Sequence, residues 1–311
     1  MLTLFSTPKA FTGHNDVIQR NSLRSWTLLG REIEIILLGD DHGTAEAANE
    51  FGVRHIGGIA CNEFETPLID SIFSQAQQAA SYPLLAYVNA DIILMDDFLA
   101  VVKQIAEEKP QSLIVGRRWN LDVEEPLDFS PSWQERLRQR VNERGQLFVA
   151  TGIDYFVFNK GLFGDIPPFA IGRTAWDNWL LYRARVSKAA LVDATDAAMV
   201  VHQNHDYNHH KQGAVGVWHG PEAQRNLELA GGSRHRFSIS DRTHQLTANG
   251  LKRSIDFYRG WRMIRTAEAL NSWLPLPVRL LLRTVNNSLD IASRLGARFS
   301  MAEKFEVPGD A

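Results

Sequence analysis

From Leu2 to Val115, short apolar runs alternate with longer runs of helical period. Leu2 to Phe5, Glu32 to Leu38, Val53 to Ile56, Leu84 to Val88 and Leu113 to Val115 read as strands. The run at Leu84 to Val88 has no polar alternation and predicts a strand buried on both faces. Between these runs, His14 to Leu29 places Val17, Ile18, Leu23, Trp26 and Leu29 at roughly helical spacing. Thr44 to Phe51, Leu68 to Ala80 and Phe98 to Ala106 also read as helices. Gly30 and Gly52 stop two of these helices, and Pro67 suits the first turn of a third. The alternation predicts an α/β fold: a mostly parallel sheet with flanking helices.

The pattern continues with helices over Trp133 to Val141 and Thr174 to Arg183, and strands over Phe148 to Phe158, Ala189 to Asp193 and Ala198 to His202. Its character changes after Thr243. Leu251 to Leu270 and Leu276 to Phe299 read as two helices separated by Pro275 and Pro277. They carry nine Lys or Arg against three acids, with an apolar stripe including Val278, Leu281, Leu282, Val285 and Leu289. The organisation predicted is an α/β domain over residues 1–243, a basic amphipathic helical appendage over 244–299 and a disordered tail over 300–311. A basic amphipathic helix suits a membrane interface, although such stripes more often pack on their own domain or on a partner.

Composition narrows the class. The chain has 311 residues, 44% hydrophobic and 22% charged, as in ordinary soluble proteins. A net charge of −3 gives no global field for nucleic acid. The single cysteine, Cys61, excludes an internal disulfide framework and suits a reducing compartment. With no secretory pattern at the start and no apolar stretch of about 18 residues, a cytoplasmic protein is expected, with peripheral membrane contact through the C-terminal helices as one of the two readings of that stripe.

Polar residues cluster where the strands stop. Leu84 to Val88 ends in Asn89-Ala90-Asp91, so a carboxamide and a carboxylate leave the sheet edge together. Ligands bind at that edge in open α/β sheets. Asp91 there suits a divalent cation carrying phosphates; the competing reading is a helix-capping aspartate. Asp40 and Asp41 end the second strand, where acids accept hydrogen bonds from a base or ribose, or simply form an acidic turn. Trp176-Asp177-Asn178-Trp179 flanks a carboxylate with two rings that could stack on a sugar, or that could be two buried aromatics around a solvated acid. Seven of the ten histidines lie between His202 and His244, beginning with His202 and His205 at a strand end. These could complete a metal site or hold phosphate. Zinc competes, but no HExxH pattern is present. Arg117 and Arg118 follow a further strand and suit phosphate or acceptor, or a surface ion pair.

As a set, in this order, these residues resemble the GT-A class of nucleotide-sugar-dependent glycosyltransferases, in particular its family 2-like group. The resemblance covers roughly residues 1–210. It implies that Ser6, Thr7 and Pro8 meet the nucleotide, that Asp40 or Asp41 contacts the nucleoside, and that Asn89-Ala90-Asp91 stands where the DxD metal motif lies. It implies Asp177 as the base and His202 or His205 as a late metal ligand. The function implied is sugar transfer from a nucleoside diphosphate sugar to a glycan or other hydroxyl acceptor, assisted by Mn2+ or Mg2+. A non-catalytic nucleotide-binding or scaffold protein that keeps the fold is the alternative. Two positions depart from the pattern. Asn89 replaces the first Asp of the metal motif, and Trp176 precedes Asp177 where inverting members often carry Glu.

Overall fold

The computed structural model describes residues 1–205, 218–255, 257–271 and 273–286. Its described part falls into two compact units, Met1–Ser254 and the part that begins at Ile255.

The first unit is α/β. Its strands are β1 (Leu2–Ser6), β2 (Ile33–Leu38), β3 (Arg54–Ile56), β4 (Leu84–Val88), β5 (Ile92–Ile93), β6 (Ser112–Val115), β7 (Trp119–Leu121), β8 (Gln146–Leu147), β9 (Tyr155–Asn159), β10 (Ala190–Asp193), β11 (Val201–Gln203), β12 (His244–Thr247) and β13 (Gly250–Arg253). Its helices are α1 (Gly13–Thr27), α2 (Thr44–Phe51), α3 (Ile69–Ala79), α4 (Asp96–Glu108), α5 (Trp133–Arg144), α6 (Trp176–Val186) and α7 (Pro221–Leu229).

Nine strands form the main sheet in the order β13-β12-β10-β6-β9-β4-β1-β2-β3. β9 runs against β4 and β6, and β13 against β12; the other adjacent pairs are parallel. Alternate residues of each strand face opposite sides. Leu2, Leu4, Ile35, Leu37, Ala86 and Val88 join Leu23 and Trp26 of α1, Ala47 of α2 and Phe98 of α4 in one buried cluster. On the other side Phe73 of α3 meets Phe5 edge-on at 5.2 Å and stacks on Tyr87 and Phe158, each at 5.5 Å. Burying each such ring contributes about 1.5–3 kcal/mol, which is why the central strands carry almost no polar residues.

A second sheet, β5-β11-β7-β8, stands beside the first. Its own small core joins Ile93, Leu121, Leu137, Val141 and Val201. β5 begins immediately after Asp91, so the chain passes from one sheet to the other through the Asn89–Asp91 turn.

Three expectations shift. Phe148 to Phe158 is not one strand: only Tyr155 to Phe158 pairs, in β9 of the large sheet, and irregular chain leads there from β8 of the small one. A Cβ on Gly152 would lie 2.3 Å from the Phe148 ring, so the chain folds tightly back there. Leu251 does not begin a helix. It pairs with Leu246 across the β12–β13 hairpin, and the helix starts later, as α8 (Phe257–Leu270). Residues 244–253 therefore close the main sheet, and the boundary expected after Thr243 falls after Ser254.

The second unit is helical. α8 is followed by a helical stretch over 276–286, and Arg283 pairs with Glu268 across the two. The C-terminal half of the helix expected to Phe299, and the tail over 300–311, lie outside the described residues.

Candidate active site

The C-terminal ends of β2, β1 and β4 lie side by side, since Ser6 pairs with Leu37 and Phe5 with Tyr87. The candidate nucleoside residues gather here. Ser6 Oγ and Thr7 Oγ1 are buried without a hydrogen-bond partner, next to the buried Pro8. Thr7 also approaches Gly39, the glycine that ends β2. Asp40 is engaged locally: Oδ2 accepts from the Gly58 amide at 2.6 Å, and a Cβ on Gly57 would meet Oδ1 at 2.2 Å. The Gly57-Gly58 loop thus wraps around Asp40, which needs glycine at that close approach. Asp41 follows in the same turn, its carboxyl raised above the ordinary aspartate value by partial burial and then by the Asp40 charge.

Next along the edge is a cluster of possible ligands. β11 pairs with β5, His202 opposite Ile92, which sets the β11 end against the turn that carries Asp91. His205 Nε2 lies 3.0 Å from Asp91 Oδ2 and His202 Nε2 lies 3.6 Å from it. All three side chains are largely buried. Burial opposes the Asp91 charge, but His202 and His205 outweigh it and hold the carboxyl well below its ordinary value. The three residues present ligand atoms within 4.8 Å of one another. Two donors about 2.1 Å from one ion and at right angles stand about 3.0 Å apart, so these separations fit a shared divalent cation. Asp91 Oδ1 is buried without a partner, which leaves a second carboxylate oxygen open to a further ligand.

The cluster rests on a polar network from α1. Gln203, fully buried, donates from Nε2 to the carbonyls of Ile18 at 2.8 Å and Asp91 at 3.1 Å, and to Ser22 Oγ at 3.0 Å. Its Oε1 accepts from Asn21 Nδ2 at 2.9 Å. Trp26 Nε1 donates to the Ile92 carbonyl at 2.9 Å. The polar face of α1 therefore fixes the backbone on both sides of the cluster.

On the β9 side, Asn89 Nδ2 donates to Asp154 Oδ1 at 2.7 Å. Arg118 Nη1 pairs with the same oxygen at 2.5 Å, and its guanidinium lies 4.3 Å over the Phe148 ring. Asp177 stands in the first turn of α6. Its carboxyl is pushed up to about 7, by burial first; the Asp154 charge adds to the rise, while the Asn178 amide and Arg236 oppose it. The preceding Ala175 is buried and holds φ at 88°, a left-handed backbone that costs a non-glycine residue about 1–3 kcal/mol. Such strain concentrates at functional positions.

Asn89, Asp91, Asp177, His202 and His205 thus lie along one edge with Ser6, Thr7, Pro8 and Asp41. Arg117 does something else: Nε and Nη2 donate to the carbonyls of Phe148 and Leu147, fastening β8. Arg118 reaches the site through Asp154. The two tryptophans are corrected. Trp176 and Trp179 are 5% and 7% exposed, packed on Tyr87, Phe156 and Phe169, because the apolar face of α6 turns them onto the sheet; neither ring offers a face to a sugar. His209 and His210, later in the same histidine run, lie outside the described residues. Asp154 and Gln203 escaped the sequence reading. Gln203 stands between His202 and Asn204, where its helical partners cannot be inferred, and Asp154 looks like an ordinary polar residue before a strand.

No known protein family matches the sequence, and no curated protein does. Solved structures do. S. aureus TarS 1–349 is 12% identical over 65% of this chain and 60% of that one, with a TM-score of 0.44. The same protein in complex with UDP-GlcNAc matches over 87% of this chain and 72% of that one, with 12% identity and a TM-score of 0.48. Glucosyl-3-phosphoglycerate synthase from Mycobacterium tuberculosis, in complex with Mg2+ and UDP, is 13% identical over 75% of this chain and 80% of that one, with a TM-score of 0.45. Mannosyltransferase PcManGT from Pyrobaculum calidifontis, in complex with GDP-Man and Mn2+, is 14% identical over 64% of this chain and 56% of that one, with a TM-score of 0.40. The chain spans less than two thirds of the first and last of these structures.

Proposed function

We propose that this chain is a GT-A-type glycosyltransferase that moves a sugar from a nucleoside diphosphate sugar to an acceptor hydroxyl, with inversion. The observation that carries the reading is the buried Asp91–His202–His205 cluster at the sheet edge that also bears Ser6, Thr7 and Asp41. Two imidazoles with one carboxylate suit Mn2+ better than Mg2+, which prefers oxygen ligands throughout. Asp91, His202 and His205 would hold the ion, and the Asn89 amide oxygen would add an uncharged ligand. When bound, the cation neutralises charge on the departing diphosphate.

The chain's own groups account for the rest. Ser6, Thr7 and Pro8 with Asp41 bind the nucleoside, while Asp40 holds the loop beside it. Asp177 takes the proton of the acceptor hydroxyl, and burial makes it a stronger base than an ordinary aspartate. The acceptor oxygen bonds to the anomeric carbon as the bond from that carbon to the phosphate oxygen breaks on the opposite face. The bonding pair leaves with the nucleoside diphosphate.

The test is product formation from UDP-glucose, UDP-GlcNAc and GDP-mannose with Mn2+, on the full chain, with hydroxyl acceptors and with water. Release of nucleoside diphosphate that EDTA stops and Asp177→Asn abolishes supports the reading. Nucleotide binding without turnover of any donor favours the non-catalytic alternative.

We also propose a peripheral membrane contact, made by the second unit. Among the described residues no helix is long and apolar enough to cross a bilayer. Yet the second unit exposes Trp273 at 77%, Leu276 at 62% and Leu281 at 64%, in a segment rich in arginine. Apolar side chains among cations suit an anionic lipid surface. Sedimentation with phosphatidylglycerol vesicles should carry the protein down, less so at high salt, and Trp273→Ser with Leu281→Ser should release it. Equal binding to neutral vesicles, or a stable dimer by light scattering, contradicts this placement.

A further inference from the structure

Asp154 is a buried carboxylate to which the chemistry above gives no task. It is 4% exposed, at the start of the antiparallel strand β9. One oxygen, Oδ1, receives both Asn89 Nδ2 and Arg118 Nη1. The other, Oδ2, is buried and has no partner. Leaving a buried carboxylate oxygen unmet is costly, so such an atom calls for a donor from elsewhere.

Its neighbours say where that donor comes from. Through Asn89 it adjoins the metal turn, where a diphosphate would sit. Its charge also reaches Asp177, where an acceptor hydroxyl would sit. The moiety between a diphosphate and an acceptor is the sugar undergoing transfer. The Arg118 guanidinium already balances the carboxylate, so Oδ2 needs a neutral hydrogen-bond donor rather than a second cation. A sugar hydroxyl is that donor.

We propose that Asp154 is a sugar-binding residue: Oδ2 accepts a hydrogen bond from a hydroxyl of the donor sugar. This rests on the transferase reading and adds to it a contact that free nucleoside diphosphate does not make. It also gives position 89 a reason. An aspartate there would set a second carboxylate against Asp154, whereas asparagine donates to it.

The experiment compares two ligands on two proteins. Calorimetry with Mn2+ measures UDP and GDP, and UDP-glucose, UDP-GlcNAc and GDP-mannose, on the wild type and on Asp154→Asn. Asparagine keeps the Oδ1 acceptor and removes the charge. The expected result is free nucleotide affinity within about twofold of wild type and nucleotide-sugar affinity down by about tenfold or more, as for a lost hydrogen bond to a charged group. A deoxy analogue of the bound sugar that lacks the contacted hydroxyl should bind both proteins alike. If Asp154→Asn does not fold, Asp154→Glu keeps the charge against Arg118, moves the outer oxygen and carries the same expectations. Equal effects on nucleotide and nucleotide sugar, or none on either, would show a purely structural carboxylate and overturn the proposal. If no nucleotide binds the wild type, the transferase reading fails and this inference falls with it; nucleotide binding with an unchanged sugar increment overturns Asp154 alone.

Discussion

Asn89 donates its side-chain amide to Asp154 at 2.7 Å, tying the end of β4 to the start of β9. The bond gives asparagine a structural role at position 89, where the resemblance implies aspartate. Asn89→Asp would place two carboxylates on one guanidinium, that of Arg118. We expect it to cost about 1–3 kcal/mol, seen as a fall of roughly 2–4 °C in melting temperature for each kcal/mol lost, and to tighten Mn2+ binding as a carboxylate replaces a neutral ligand. Differential scanning calorimetry and a Mn2+ titration check both parts.

Asp177 should set the pH dependence of turnover. Its folded carboxyl lies at about 7, raised above that of an unfolded aspartate. As a base it must be ionised, so kcat/KM should rise through about pH 7. Stability runs the other way. The native state holds the extra proton between the unfolded and the folded value, so stability falls as pH rises through that window and stays lower above it. Asp177→Asn should therefore lose turnover by about 100-fold or more. It should also melt above the wild type at about pH 8, with the difference closing near pH 4.

The main sheet and most of the edge were legible because parallel strands buried on both faces write themselves as unbroken apolar runs. Leu84 to Val88 is the plainest case, and Asn89-Ala90-Asp91 follows where such a run must stop. The histidines at the end of a strand suggest a metal site, but the resemblance is what sets His202 beside Asp91, since pairing of β5 with β11 across more than a hundred residues leaves no local mark. The fate of the tryptophans was ambiguous for a related reason. A ring beside an acid in the first turn of a helix can face either the sheet or the site, and sequence spacing does not say which. β13 was read as helix because its alternation is too short to set against the basic helix that follows.

His202→Ala and His205→Ala should each weaken Mn2+ binding by more than the roughly 10–100-fold that follows loss of groups that merely orient ligands. Electron paramagnetic resonance of free Mn2+ measures this directly. An unchanged affinity in either variant removes that histidine from the site.

Gln203→Leu should be felt twice. It leaves Asn21, Ser22 and the carbonyls of Ile18 and Asp91 without a shared partner. The expected cost is about 1–3 kcal/mol in urea unfolding, as for buried groups left unmet. Mn2+ affinity should fall with it, because the Asp91 carbonyl loses the side-chain donor and keeps only the Gln203 backbone amide at 3.2 Å.

Trp179→Ala should act on the fold alone. The ring packs on Phe169 at 5.4 Å, and its loss should cost about 3–5 kcal/mol, as for other buried aromatics. Acceptor KM, measured below the lowered melting temperature, should not change; a selective rise would return the ring to the acceptor site.

The most direct test of the central claim is a thermal-shift measurement with UDP, GDP and dTDP, each with and without Mn2+, on the wild type and on Asp91→Asn. At about 100 times its dissociation constant, a ligand of the native state adds about 2.7 kcal/mol, or roughly 5–10 °C here. We expect one nucleotide to give that rise only with Mn2+, and Asp91→Asn to abolish it. No shift with any nucleotide, or a shift indifferent to both Mn2+ and Asp91, would contradict a metal-held nucleoside diphosphate at this edge.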